Sequence, residues 1–230
     1  MANGLSATCI ALLAFAIAPA APADEIVYPA LQEPRHRPVL HDDRFDVYDV
    51  QLSGGEQSFY HRHERDQLGI VMSTSTSYNQ QLGGAEIRTT ADRGTISYIP
   101  HSTLGGYTHR VRIEPGNQFR VIGIEFAKSA GAQGKRLVLL PGQSRLAFPQ
   151  GTIARVEIPP RSNLAVEGDL LVAMSSGSLA GRGSRWDFSP GDVKPISPRP
   201  DRLENPGPDT VAILVLRLAP EAGEAQDQRA

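Results

Sequence analysis

The chain has 230 residues, 40% hydrophobic and 21% charged, with a formal net charge of -2. That is enough for one large or two small globular domains, and the near-neutral balance offers no strongly basic surface for nucleic acid or an anionic membrane. The only cysteine is Cys9, which excludes a disulfide framework, a thiolate zinc site and, once residues 1–23 are removed, a cysteine nucleophile.

Residues 1–23 carry no charged side chain. Within them, residues 9–18 (CIALLAFAIA) form an apolar run shorter than the roughly 20 residues that span a bilayer. The small-x-small patterns Ala18-Pro19-Ala20 and Ala21-Pro22-Ala23 follow it. The pattern reads as a secretory signal peptide cut before Asp24, although the usual basic residue at its start is missing. A periplasmic or secreted protein is therefore expected, with no membrane partner after cleavage. Residues 24–44 are rich in Pro, Arg and His and read as an extended arm. His36 and His41 fall in it and read as surface histidines.

From residue 45 the pattern is that of short strands between turns. Residues 45–52 (FDVYDVQL) form a strand and Ser53-Gly54-Gly55 a turn. Residues 58–63, 68–73, 85–90, 95–99, 109–113 and 119–126 read as further strands, with 74–81 a polar stretch. Even spacing, Gly or Pro turns and the absence of a long helical period predict an all-β barrel or sandwich.

The chemistry concentrates in residues 55–72, GEQSFYHRHERDQLGIVM. His61 and His63 are one residue apart on a strand, so both point to one face. Imidazole nitrogen ligates Zn, Fe, Mn, Ni or Cu. His109 opens a later strand and is the preferred third imidazole, with His101, directly after Pro100, as its rival. Tyr60, Tyr98, Tyr107 and Arg120 are weaker candidates for the pocket and read better as packing or surface residues.

These residues resemble the two motifs of the cupin superfamily. The first motif reads G-x5-H-x-H-x3–4-E-x6-G. Here Gly55, His61 and His63 match it, Gln67 stands at the acidic position and Thr74 at the closing glycine. The second reads G-x5-P-x-G-x2-H-x3-N. Gly94 and Pro100 match it, Ser102 replaces the glycine, and His109 follows after an apparent four-residue insertion. The resemblance implies a jelly roll (double-stranded β-helix) binding one divalent metal through His61, His63, Gln67 and His109. Glu64 and Asp66 are the fallback for the fourth ligand, without the family spacing. A neutral amide at Gln67 would leave the ion its full positive charge, where a carboxylate would cancel one unit.

After a connector at 129–152, which itself carries a strand at 136–140, the pattern restarts. LLVAMS at 170–175 resembles LGIVMS at 68–73, and Asn205-Pro206-Gly207 before residues 211–218 resembles Glu114-Pro115-Gly116 before 119–126. This is an internal repeat of about one hundred residues, two tandem barrels at 45–128 and 153–219, with a polar tail at 220–230. On this alignment His61, His63 and Gln67 correspond to Asn163, Ala165 and Asp169. The second barrel therefore has no imidazole and no site of this type. The sequence leads to a secreted bicupin-like protein with one divalent metal (Fe, Mn, Zn or Ni) and a small-molecule ligand. As an enzyme it would be a dioxygenase, isomerase or lyase; the alternative is a non-catalytic small-ligand or metal-binding protein of the periplasm. No catalytic residue is singled out, and a homodimer is compatible with this reading.

Export is expected to remove residues 1–23. Intact-mass measurement on protein from its native host should find Asp24 at the terminus, whereas a product retaining Met1 defeats the signal-peptide reading.

Overall fold

The computed structural model describes residues 25–129, 131, 134–197 and 199–220. The signal-peptide segment and nearly all of the polar tail lie outside the described residues. No helix among the described residues is long and apolar enough to cross a membrane.

The first half contains β1 (Val27–Pro29), β2 (His36–Asp42), β3 (Phe45–Ser53), β4 (Tyr60–His63), β5 (Gln67–Val71), β6 (Ser75–Gln81), β7 (Glu86–Ala91), β8 (Ile96–Ile99), β9 (Tyr107–Ile113), β10 (Gln118–Phe126) and β11 (Leu137–Leu139). They form two sheets, ordered β1-β4-β9-β6-β7 and β11-β8-β5-β10-β3-β2. The second half contains β12 (Arg145–Phe148), β13 (Gly151–Ile158), β14 (Asn163–Val166), β15 (Leu170–Ala173), β16 (Gly177–Gly181), β17 (Ser184–Phe188), β18 (Val193–Pro195), β19 (Asp201–Glu204) and β20 (Val211–Leu218). Its sheets run β12-β13-β20-β15-β18 and β14-β19-β16-β17. The repeat is complete at the level of topology. The order β8-β5-β10-β3 returns as β18-β15-β20-β13, and β4-β9-β6-β7 returns as β14-β19-β16-β17. The protein is all-β, two barrels in tandem.

Alternation along the central strands divides their side chains between two environments. Leu68 and Ile70 on β5 and Ile122, Ile124 and Phe126 on β10 point outward, toward the second barrel. Leu170 and Val172 on β15 and Leu214 and Leu216 on β20 meet them in one apolar cluster. Phe148 stands in the seam, its ring 5.1 Å from Tyr98 and 5.4 Å from Phe126. Polar contacts rim the joint. Arg44 donates to Asp169 at 2.6 Å, Gln150 to Asp66 at 2.6 Å, and Arg120 to the Pro190 carbonyl at 2.6 Å. The central sheet is thus buried on both faces, which explains why its strands read as nearly continuous apolar runs.

Three segments differ from expectation. Residues 25–44 are not an arm, and they supply two strands of the first barrel. β1 pairs in parallel with β4, and β2 pairs antiparallel with β3. The Glu33 carboxylate fixes the connection by accepting from the Arg35 and Phe59 amides at 2.6 and 3.0 Å. Pro and Arg content hid these strands, because they lack an alternating pattern. The polar stretch at 74–81 is strand β6. Its buried hydroxyls pair with the neighbouring strand, Thr76 with Thr90 at 3.1 Å and Ser77 with Thr89 at 3.2 Å. The connector at 129–152 is divided, with β11 on the first barrel and β12 on the second.

Gly123 on β10 faces Tyr48 on β3 across the sheet. A Cβ there would lie 2.3 Å from the tyrosine ring, whereas at Gly69 the nearest atom would be the Ser97 hydroxyl at 3.3 Å. Gly123→Ala should destabilise the fold by about 1–3 kcal/mol through overpacking, and Gly69→Ala by clearly less. Urea midpoints of the two variants check the order; equal losses would show that the Tyr48 ring is free to move.

Candidate metal centre

β4 and β9 bring the histidines together through strand register. His61 lies opposite His109, and Tyr107 opposite His63. One ligand atom from each of His61, His63 and His109 lies within 4.8 Å of those of the other two. Among the described residues these form the one group of three or more His, Cys, Asp or Glu suited to a metal ion.

Each of the three rings has its Nδ1 engaged. His61 donates to the Phe59 carbonyl at 3.0 Å, His63 to Glu125 at 2.8 Å, and His109 to the Asn79 side-chain oxygen at 3.2 Å. Asn79 is itself held by the Tyr107 hydroxyl at 3.0 Å. A carbonyl oxygen only accepts, so at His61 and His109 the proton sits on Nδ1 and Nε2 keeps its lone pair, and Glu125 in its ionised form imposes the same tautomer on His63. Outer partners of this kind orient metal-ligating histidines and raise their basicity. The donor set therefore fits a divalent first-row ion.

Burial keeps these rings neutral. It pushes His61 down to about 4 and holds His63 and His109 well below the ordinary histidine value. Neighbouring imidazoles push His63 and His109 further in the same direction. The Glu125 carboxyl moves the opposite way, up to about 7, because burial disfavours its charge.

A cavity of about 90 Å³ opens beside the three histidines. Gln67 lines it, donating through Nε2 to the Tyr48 hydroxyl at 2.6 Å, with its oxygen 3.4 Å from His101 Nε2. The fallback residues point elsewhere. Glu64 is exposed and accepts from Arg62 at 3.0 Å, and Asp66 is buried in the joint between barrels with Ser102, Tyr98 and Gln150. His101 is buried behind His63, stacked on it at 5.0 Å, and does not line the cavity.

His36 corrects the reading of a surface histidine. It is buried, stacks on Tyr48 at 4.6 Å and lies 4.5 Å from the His61 ring, centroid to centroid. Its Nδ1 donates to the Ala30 carbonyl at 2.6 Å, and burial pushes it down to about 3. His41, by contrast, is a surface histidine paired with Asp46 at 2.5 Å. Of the weaker candidates, Tyr98 binds Asp66, Tyr60 lies under Arg110 and Arg120 faces the second barrel. The sequence reading missed Glu125, Asn79, Tyr48 and His36. A signal existed for Glu125 alone, a charged residue inside the apolar run FRVIGIEF.

Among the described residues the second barrel has no such centre. Asn163 and Glu204 stand opposite each other where the first barrel has His61 and His109, and Ala165 is exposed. Its interior is filled instead by side chains such as Leu171, Leu179, Phe188, Leu203 and Ile213.

Neutral buried histidines make stability depend on pH. The lowered native values mean that the unfolded chain binds protons at His36 and His61 that the native state refuses. Their contribution is complete above about pH 6.5 and is lost as pH falls toward 4 and 3, roughly 3 kcal/mol from His61. Glu125 opposes them: its raised value gives stability below about pH 4.5 that is lost as pH rises through 7. The histidines outnumber it. Denaturant titrations of metal-free protein should therefore show stability falling between pH 6.5 and 4. In His36→Gln the proton uptake on unfolding should drop by about one; an unchanged pH slope would show that His36 titrates alike in both states.

No protein-family model matches this sequence, and no curated protein matches it. Solved structures do. AerE from Microcystis aeruginosa aligns with a TM-score of 0.58 at 9% identity, covering 82% of this chain and 99% of that one. A salicylate 1,2-dioxygenase variant from Pseudoaminobacter salicylatoxidans, in complex with gentisate, aligns at 0.56 and 11% identity, covering 84% and 76%. YhhW from Escherichia coli aligns at 0.55 and 12% identity, covering 75% and 80%. The last two are cupin family proteins. With the topology of both barrels, these likenesses establish that the chain has the cupin fold.

Proposed function

We propose that the first barrel holds one divalent transition metal through His61, His63 and His109, with Gln67 as the fourth contact, and that the protein is a secreted metalloenzyme acting on a small molecule. The observation that carries this reading is the convergence of three imidazoles whose Nδ1 protons are all engaged. Salicylate 1,2-dioxygenase among the structural neighbours supports an oxygenase-type reaction, and the apolar run in residues 9–18 supports export.

Bound there, the ion would supply a Lewis acid or redox centre with open coordination positions. The chain's own residues do the rest. Glu125 accepts the His63 Nδ1 proton, fixing that ring and placing a carboxylate one residue behind it. Asn79 and the Phe59 carbonyl orient the other two rings. Tyr48 holds the Gln67 amide at the cavity wall. Val50, Leu52, Val111, Phe119 and Val121 give the cavity beside the histidine cluster an apolar side.

A non-catalytic small-ligand or metal-binding protein is the second reading. It is favoured by the cavity wall, which carries no carboxylate or lysine to serve as a general acid or base.

Elemental analysis of the native protein should find one metal per chain and name it. His61→Ala and His63→Ala should each empty the site, Asn163→Ala should leave it filled, and Glu125→Gln should weaken binding on the order of 10–100-fold. Two metals per chain, or full occupancy in both histidine variants, would sink the assignment. Oxygen uptake or turnover over a panel of small phenols and thiols then separates the enzyme from the binding protein.

A further inference from the structure

Beyond the histidines, the wall of the 90 Å³ cavity combines Val50, Leu52, Val111, Phe119 and Val121 with the neutral polar side chains of Tyr48, Ser58 and Gln67. No charged carboxylate, lysine or arginine lines it. Behind Leu52 and Phe119 lies a second, polar cleft of about 520 Å³ that Arg35, Arg37 and Arg120 also line. Leu52 and Phe119 therefore belong to both walls. Leu52 is buried, Phe119 is half-buried, and both pack with Tyr48, Val50 and Ile113.

We infer that the site takes a small monoanion with a short apolar body, and that Phe119 with Leu52 sets its size by closing the histidine cavity off from the arginine-bearing cleft. This rests on the metal reading above.

Charge gives the head group. Three neutral imidazoles and a neutral amide leave a divalent ion uncompensated, so an anionic head is drawn to it. A second charge on the ligand would meet only the neutral Tyr48, Ser58 and Gln67 side chains among valine, leucine and phenylalanine, with no opposite charge to pair it, which is unfavourable. Size gives the body. An apolar cavity of about 150 Å³ accommodates benzene, with six heavy atoms. At 90 Å³ this cavity has room for about four. Ligand pockets for drug-sized molecules run to about 300–1,000 Å³, well above this. Removing the Phe119 ring would join the cavity to the larger outer cleft, where Arg35 is paired with Glu56 and Arg120 with Asp49, and Arg37 also lines the wall. Phe119 is thus a specificity residue, and the cavity selects short-chain monocarboxylates and their thiolate or enolate equivalents over aromatic acids and dianions.

Calorimetric titration of metal-loaded protein with acetate, butyrate, succinate and benzoate tests this, with metal content measured first. Butyrate should bind at least tenfold more tightly than benzoate or succinate. In Phe119→Ala the ratio of benzoate to butyrate affinity should rise at least tenfold, and Phe119→Leu should give a smaller rise, which keeps the test open where the alanine variant fails to melt cooperatively. Wild-type protein that binds benzoate as tightly as butyrate, or variants that leave the ratio unchanged, overturn the inference. A second readout needs no metal. In metal-free protein, 2-propanol should shift the methyl resonances of Val50 and Val121, and benzyl alcohol should shift them only in the Phe119 variants. Failure to take up metal would defeat the metal reading while this methyl assay still decides the size limit; shifts with benzyl alcohol in the wild type overturn it.

Discussion

The site depends on three hydrogen bonds that point away from it. Because the Nδ1 protons of His61, His63 and His109 are taken by Phe59, Glu125 and Asn79, each ring presents Nε2 and cannot turn over without leaving a buried donor unpaired. Those partners come from different places in the chain. Phe59 precedes β4, Asn79 is on β6 and Glu125 on β10. The geometry of the centre is therefore a property of the whole first barrel, since a shift in any of these strands would tilt one ring.

The same barrel explains why the two repeats diverged in content while keeping one topology. The seam between barrels consumes the outer faces of β5 and β10 and of β15 and β20. Each barrel is then free to fill its interior separately. In the second, leucine, isoleucine, valine and phenylalanine form an apolar core, with a cavity of about 160 Å³ beside Leu171, Leu179, Trp186 and Leu203. In the first, small residues and buried polar groups leave a cavity beside the histidines. Gly123 contributes directly: without a Cβ it admits the Tyr48 ring, which in turn holds Gln67. One barrel stabilises and the other carries a site that costs stability, with five imidazoles held neutral by burial and a carboxyl pushed up to about 7.

Charge is distributed unusually around the histidines. The position where the family motif has a carboxylate holds Gln67, yet a carboxylate is present one residue further out, at Glu125 behind His63. The imidazole ring transmits that charge only partly. The direct donor set is neutral, so an anion is drawn to the ion itself, and burial weakens the opposing charge of Glu125 by disfavouring its ionised form.

The strand pattern, the two turns preceding β10 and β20, and the pair His61 and His63 were all legible in the sequence, because alternation and Gly or Pro punctuation are local. The duplication was legible for the same reason, from LGIVMS and LLVAMS. His109 could be nominated by its place at a strand, but only the pairing of β4 with β9 sets it against His61. Burial was not legible where polar residues are satisfied by distant partners. His36 lies in a segment with no hydrophobic period, and its ring is buried only because β2 pairs with β3 and stacks it on Tyr48. Asp66 and Glu125 are both acids near the motif, and nothing local says that one faces the joint between barrels and the other the histidines. The sequence by itself determined an all-β duplicated chain with imidazoles confined to its first half. Tertiary structure alone decided which of them converge, which nitrogen each presents and how large a space they face, since these depend on register between strands far apart in the chain.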